Sequence, residues 1–136
     1  MIRAVLADAG PLYAAIDEGD ERHQRASKEL SELDLERRVI AVSYPTLLET
    51  HKLVQMRLGV AAAQTWLDLM SDAALINPEP EDYRGAIAKV RSLPDQKISL
   101  FDALLGVLAS RLNLHVWTHD HHFDVMRVPV WRGRGA

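Results

Sequence analysis

Along most of the chain, short apolar runs alternate with longer stretches whose apolar positions recur at helical spacing. In IRAVLADA, the run Val5-Leu6-Ala7 reads as a buried strand, closed by Gly10-Pro11, with Pro11 placed for the first turn of a helix. That short helix passes through Tyr13 and Ile16 and ends near Gly19, and a second one, highly charged on one face, spans 21–33. Residues 38–42 read as a strand, after which Ser43 and Pro45 open a helix through Met56 that Gly59 breaks. VAAAQTWLDLM is a further helix, Ala74-Leu75-Ile76 a brief strand, and Pro78 and Pro80 mark a loop before a helix over 81–93 that Pro94 ends. Ser99 starts the helix FDALLGVLASRL, apolar on most sides and therefore expected to be buried. Residues 114–118 read as a strand, HDHHFD as a polar loop and 126–131 as a last strand. Strands alternating with helices predict an α/β fold: a mainly parallel central sheet flanked by helices on both faces.

The length of 136 residues suits one domain, assigned to 1–131, with RGRGA as a mobile tail over 132–136. Apolar residues make up 48% and charged ones 26%, enough for a core without staples. There is no cysteine, which excludes disulfides, thiolate metal sites and cysteine nucleophiles. The first apolar run is shorter than a signal peptide's hydrophobic region, and no stretch approaches the roughly 20 apolar residues that cross a bilayer, so a cytoplasmic location without membrane contact is the expectation. A formal charge of −3 argues weakly against a dedicated nucleic-acid binder, whose affinity comes from cations meeting phosphates. Carboxylates gathered around a bound cation would produce the same number, so the charge is neutral between these readings.

In parallel sheets functional groups gather beyond the carboxyl ends of the strands. Asp8 follows the first strand, Asp120 follows LHVWT, Glu49 lies in the early turns of the helix after the second strand, and Asp102 sits in the first turn of the apolar helix. Each has a local alternative: Asp8 as a helix cap, Glu49 in a T-x-x-E box with Thr46, Asp102 in an S-x-x-D box with Ser99, Asp120 in an Asx turn. Two features favour a shared site. Asp102 is set among Phe101, Ala103, Leu104 and Leu105, and Asp8 ends an apolar strand where a lone carboxylate is costly. Grouped carboxylates repel and raise one another's pKa, and a hard divalent cation with its demand for several oxygens relieves this. The chemistry expected of such a site is phosphodiester hydrolysis.

The segments LADAGPLYAAID, SYPTLLET, ISLFDALLGVLA and WTHDHHFDV, with His23 and Ala26 between the first two, resemble in order and spacing the PIN-domain family, in particular the VapC-like toxins of type II toxin–antitoxin pairs. The resemblance covers nearly the whole chain. It implies a metal-dependent endoribonuclease using Mg²⁺ or Mn²⁺, a homodimer, an RNA substrate and an antitoxin protein that blocks the site. Asp8, Asp102 and Asp120 would bind metal directly or through water, and Glu49 would complete the site and position the attacking water. Thr118 would orient it by hydrogen bonding, and Asp124 is a further acid, either part of the site or a surface charge. Ala9 departs from the hydroxyl residue often found after the first acid. The alternative function is a catalytically inactive PIN-like interaction module.

His119, His121 and His122 invite a zinc reading, but closely spaced histidines in one loop rarely converge on a metal and there is no HExxH, so they read as solvated. Trp66, Trp117 and Trp131 read as core or interface residues. Arg37, Arg38, Arg132 and Arg134 are candidate phosphate contacts against a background of ordinary surface charge.

Overall fold

A computed structural model describes residues 3–133. The chain runs β1 (Arg3–Ala7), α1 (Ala9–Ala14), α2 (His23–Leu35), β2 (Arg38–Ser43), α3 (Tyr44–Leu58), α4 (Val60–Met70), β3 (Ala74–Ile76), α5 (Pro80–Ser92), α6 (Leu100–Leu112), β4 (His115–Trp117) and α7 (His122–Val125). The strands form one sheet in the order β3-β2-β1-β4, every pair parallel, with Val5 opposite both Ile40 and His115. Parallel pairing forces crossover helices onto the sheet faces, so the central strand is buried on both sides. Val5, Leu6 and Ala7 accordingly have no solvent exposure.

Alternation along the strands sorts the core into two layers. Leu6, Ala41 and Val116 pack with Ala103, Leu104, Leu105 and Leu108 of α6 and with Phe123. Val5, Ala7, Val42 and Trp117 face the other way, onto Leu12 of α1, Leu33 of α2 and Trp131. A third cluster, centred on Tyr13, Val54 and Trp66, joins α1, α3 and α4. All three tryptophans are buried, which fits their reading as core residues. Between α5 and α6, Arg111 grips the buried Asp82 through two hydrogen bonds of 2.8 Å, from Nε and from the guanidinium Nη2.

Three expectations need correction. The strand expected over 126–131 is reduced to a single parallel bridge, Val116 with Val130, because Arg127 takes a positive φ of 60° and Pro129 has no N–H to extend a ladder. The second half of the polar loop HDHHFD is helical, forming α7 with Val125. The helix after Ser99 buries Ala103 to Gly106, Leu108 and Ala109 but leaves Leu100 and Phe101 half exposed. Within the segment assigned to the tail, Arg132 donates to Asp124 at 2.7 Å, while 134–136, including Arg134, lie outside the described residues.

Candidate active site at the carboxyl edge of the sheet

The strand order reverses between β1 and β4, the kind of switch point beside which parallel sheets bind ligands. Asp8 leaves β1 there, its N–H donating to the carbonyl of Trp117 at 2.9 Å. Its side chain caps α1, accepting from Ala9 N–H at 2.9 Å, and accepts from Thr118 Oγ1 at 2.8 Å. Thr118 Oγ1 in turn accepts from the N–H of Asp120 at 2.9 Å, so one hydroxyl ties two acids from opposite ends of the chain. Asp120 Oδ1 accepts from the N–H of His122 at 2.9 Å, the expected Asx turn. Asp102 enters from the first turn of α6, where Ser99 Oγ caps the helix by accepting from Asp102 N–H at 3.1 Å.

Glu49 lies in the second turn of α3. The box expected with Thr46 does not form, because the helix starts earlier and Ser43 is its cap, accepting from Thr46 N–H at 3.3 Å. The carboxylate is left to face the other acids.

Asp8, Glu49, Asp102 and Asp120 line one cleft of about 390 Å³, together with Ala9, Gly10, Arg22, Leu53, His119 and His121. Their titrations record their nearness. Asp8 is pushed from 3.8 to about 6, first by burial, then by the charges of Asp102 and Glu49 against the relief given by Thr118 and Ala9. Glu49 is raised by burial and by Asp102. Asp102 is raised by burial and by Asp120, with Ser99 and His122 pulling the other way. Acids that suppress one another's ionisation make a cleft ready for a cation.

The donor set fits a hard divalent ion such as Mg²⁺ or Mn²⁺, which prefers oxygen ligands and keeps several waters. No three of the acids bring oxygens within 4.8 Å of one another, whereas Asp120, His121 and His122 can each place one ligand atom within that limit, the one such group among the described residues. His122 Nδ1 approaches Asp120 Oδ1 to 2.8 Å without hydrogen-bond alignment.

The other residues singled out divide. Thr118 is central and buried. Asp124 stands outside the cleft lining, exposed and paired with Arg132. Arg38 pairs with Glu36, and Arg37 is exposed. The cation on the cleft wall is Arg22, which composition and spacing did not single out. His119 is not a solvated loop residue: its side chain is 1% exposed and its Nε2 lies 2.6 Å from Glu29 Oε1. Glu29 sits with Ala26 and Leu33 on the buried stripe of α2, so an acid on an apolar stripe was the sequence signal for it.

A search of curated protein sequences finds no match. Among solved structures the chain is similar to the toxin VapC20 of Mycobacterium tuberculosis, described as cleaving the sarcin–ricin loop, with a TM-score of 0.81 and 20% identity over 95% of this chain and 99% of that one. It is similar to VapBC2 of Rickettsia felis bound to a DNA fragment from its promoter, with a TM-score of 0.73 and 17% identity over 95% and 97% of the two chains. A third likeness is FitAcB of Neisseria gonorrhoeae, with a TM-score of 0.70 and 16% identity over 94% and 96%. The PIN-domain profile matches residues 5–129. This chain, with its four-stranded parallel sheet and acids gathered at the carboxyl edge, belongs to the PIN-domain family.

Proposed function

We propose that the protein is a metal-dependent endoribonuclease, the toxin of a toxin–antitoxin pair, and that Asp8, Glu49, Asp102 and Asp120 form its metal site. The observation that carries this reading is the cleft shared by those acids, in which burial and mutual repulsion lift the pKa of Asp8 to about 6. Bound Mg²⁺ or Mn²⁺ would supply an activated water and stabilise charge building on the phosphate. Asp8, Asp102 and Asp120 hold the ion, and Glu49 orients the attacking water. Thr118 fixes Asp8 and Asp120 relative to each other, and Arg22 offers a cation to the RNA backbone. RNA as the substrate class is supported by the neighbour named for cleaving the sarcin–ricin loop.

The partners follow the same reading. A solved structure similar to this chain and described as a toxin–antitoxin complex, from Klebsiella pneumoniae, supports an antitoxin that covers the cleft. An exposed apolar groove of about 400 Å³ between α3, α5 and α6, lined by Leu48, Tyr83, Ile87, Leu100 and Phe101, supports a homodimer. No described helix is long and apolar enough to cross a membrane, and a ribonuclease held in check by an antitoxin belongs with cellular RNA in the cytoplasm.

The test is to incubate antitoxin-free protein with total cellular RNA and Mn²⁺ and to sequence the new ends. The parent protein generates defined ends; Asp8→Asn and Asp102→Asn generate none while their circular dichroism stays that of the folded chain. A parent protein that leaves every RNA intact would instead be an inactive interaction module.

A further inference from the structure

Glu29 is an acid on α2 that no part of the metal chemistry needs, yet it is 4% exposed. Its Oε1 accepts from Trp117 Nε1 at 3.1 Å and from His119 Nε2 at 2.6 Å. Its Oε2 lies 3.5 Å from Arg25 Nε, a partner one turn away on the same helix. Burial pushes the carboxyl's pKa upward, but the hydrogen bonds from His119 and Trp117 and the neighbouring charges outweigh it, so Glu29 is held ionised and accepts at both bonds.

The register of β4 explains why these two residues matter. Trp117 faces the α2 layer of the core. Side chains alternate along a strand, and past the end of β4 the partners of Thr118 and His119 keep the same sorting. Thr118 turns to Asp8 and Asp120, whereas Trp117 and His119 turn to Glu29. One carboxylate therefore clamps both neighbours of the threonine that spaces two of the four acids. His119 also lines the acidic cleft, and its Nδ1 is buried with no partner among the described residues. Outer groups of this kind, which orient the residues around a metal, typically change affinity by roughly 10–100-fold when removed.

We infer that Glu29 is a positioning residue for the acidic site: from α2 it fixes the Trp117–Thr118–His119 segment and so sets the separation of Asp8 and Asp120. This rests on the metal reading of that site. The experiment is a Mn²⁺ titration of the full chain, with free ion followed by electron paramagnetic resonance. Glu29→Ala is expected to weaken binding about 10–100-fold, whereas Glu29→Gln, whose amide oxygen can replace the single acceptor Oε1, stays within about threefold of the parent. A second readout needs no variant: on saturation of the parent with Mg²⁺, the indole N–H resonance of Trp117 shifts while those of Trp66 and Trp131 stay in place. Parent-like affinity in a folded but less stable Glu29→Ala protein would reduce Glu29 to a core contact and overturn the inference alone. So would Mg²⁺ binding that leaves the Trp117 resonance unmoved. Absence of Mn²⁺ binding by the parent would remove the metal reading and this inference together.

Discussion

The carboxyl of Asp8 receives hydrogen bonds from Ala9 and Thr118 that favour its charge, yet burial and the charges of Asp102 and Glu49 set its pKa at about 6. The sign follows directly. Between pH 4 and 6 the folded protein keeps a proton that the unfolded chain has released, so metal-free stability falls as pH rises through that window. A rise from 3.8 to about 6 corresponds to about 3 kcal/mol lost by neutral pH. Glu49 and Asp102 are raised as well and act in the same direction. Metal-free Asp8→Asn should therefore be more stable than the parent at pH 7, by about 1–3 kcal/mol in urea unfolding, with the gap closing below pH 4. Added Mn²⁺ should reverse the order at pH 7, because the ion binds the folded parent more tightly than the variant. Parallel pH profiles for the two proteins would mean that Asp8 is an ordinary helix cap.

At the scale of elements, legibility depended on how local the determining physics is. The helix VAAAQTWLDLM and the strand Ala74–Ile76 fell where periodicity and flanking breakers put them, since Gly59 and Pro78 act within a residue or two. The start of α3 likewise fell where Ser43 and Pro45 put it, with Ser43 as the cap, and the T-x-x-E box weighed as a local role for Glu49 does not form. The helix α7 spans His122–Val125, too short to show any period, and an Asx turn at Asp120 precedes it. Asp8, Asp120 and Glu49 could be placed at one edge because two follow strands and one lies in the early turns of the helix after a strand. Asp102 needed α6 to start at that same edge, and the Glu29–His119 contact spans 90 positions, so no local pattern carries it. The exposed groove over α3, α5 and α6 belongs to this scale too. If it is where two copies meet, Ile87→Glu, which puts a charge in its wall, shifts the protein from dimer to monomer in light scattering without altering its circular dichroism. An unchanged mass would place the dimer elsewhere or remove it.

Across the whole molecule, the fold brings residues 8, 49, 102 and 120 from four separate segments to one cleft at a point where the sheet's strand order reverses. Four of the chain's 19 acidic residues line that cleft, a crowding that carboxylates without a cation tolerate poorly. The rest of the structure supplies rigidity: two core layers hold the sheet, and Asp82 with Arg111 locks α5 to α6. On the proposed reading this cleft is a cation site. Isothermal titration of the metal-free protein with Mn²⁺ decides whether it is. Saturable binding is expected, competed away by Mg²⁺ and weakened at least tenfold by Asp8→Asn and by Asp102→Asn; no binding, or binding indifferent to both substitutions, would rule out a metal site there.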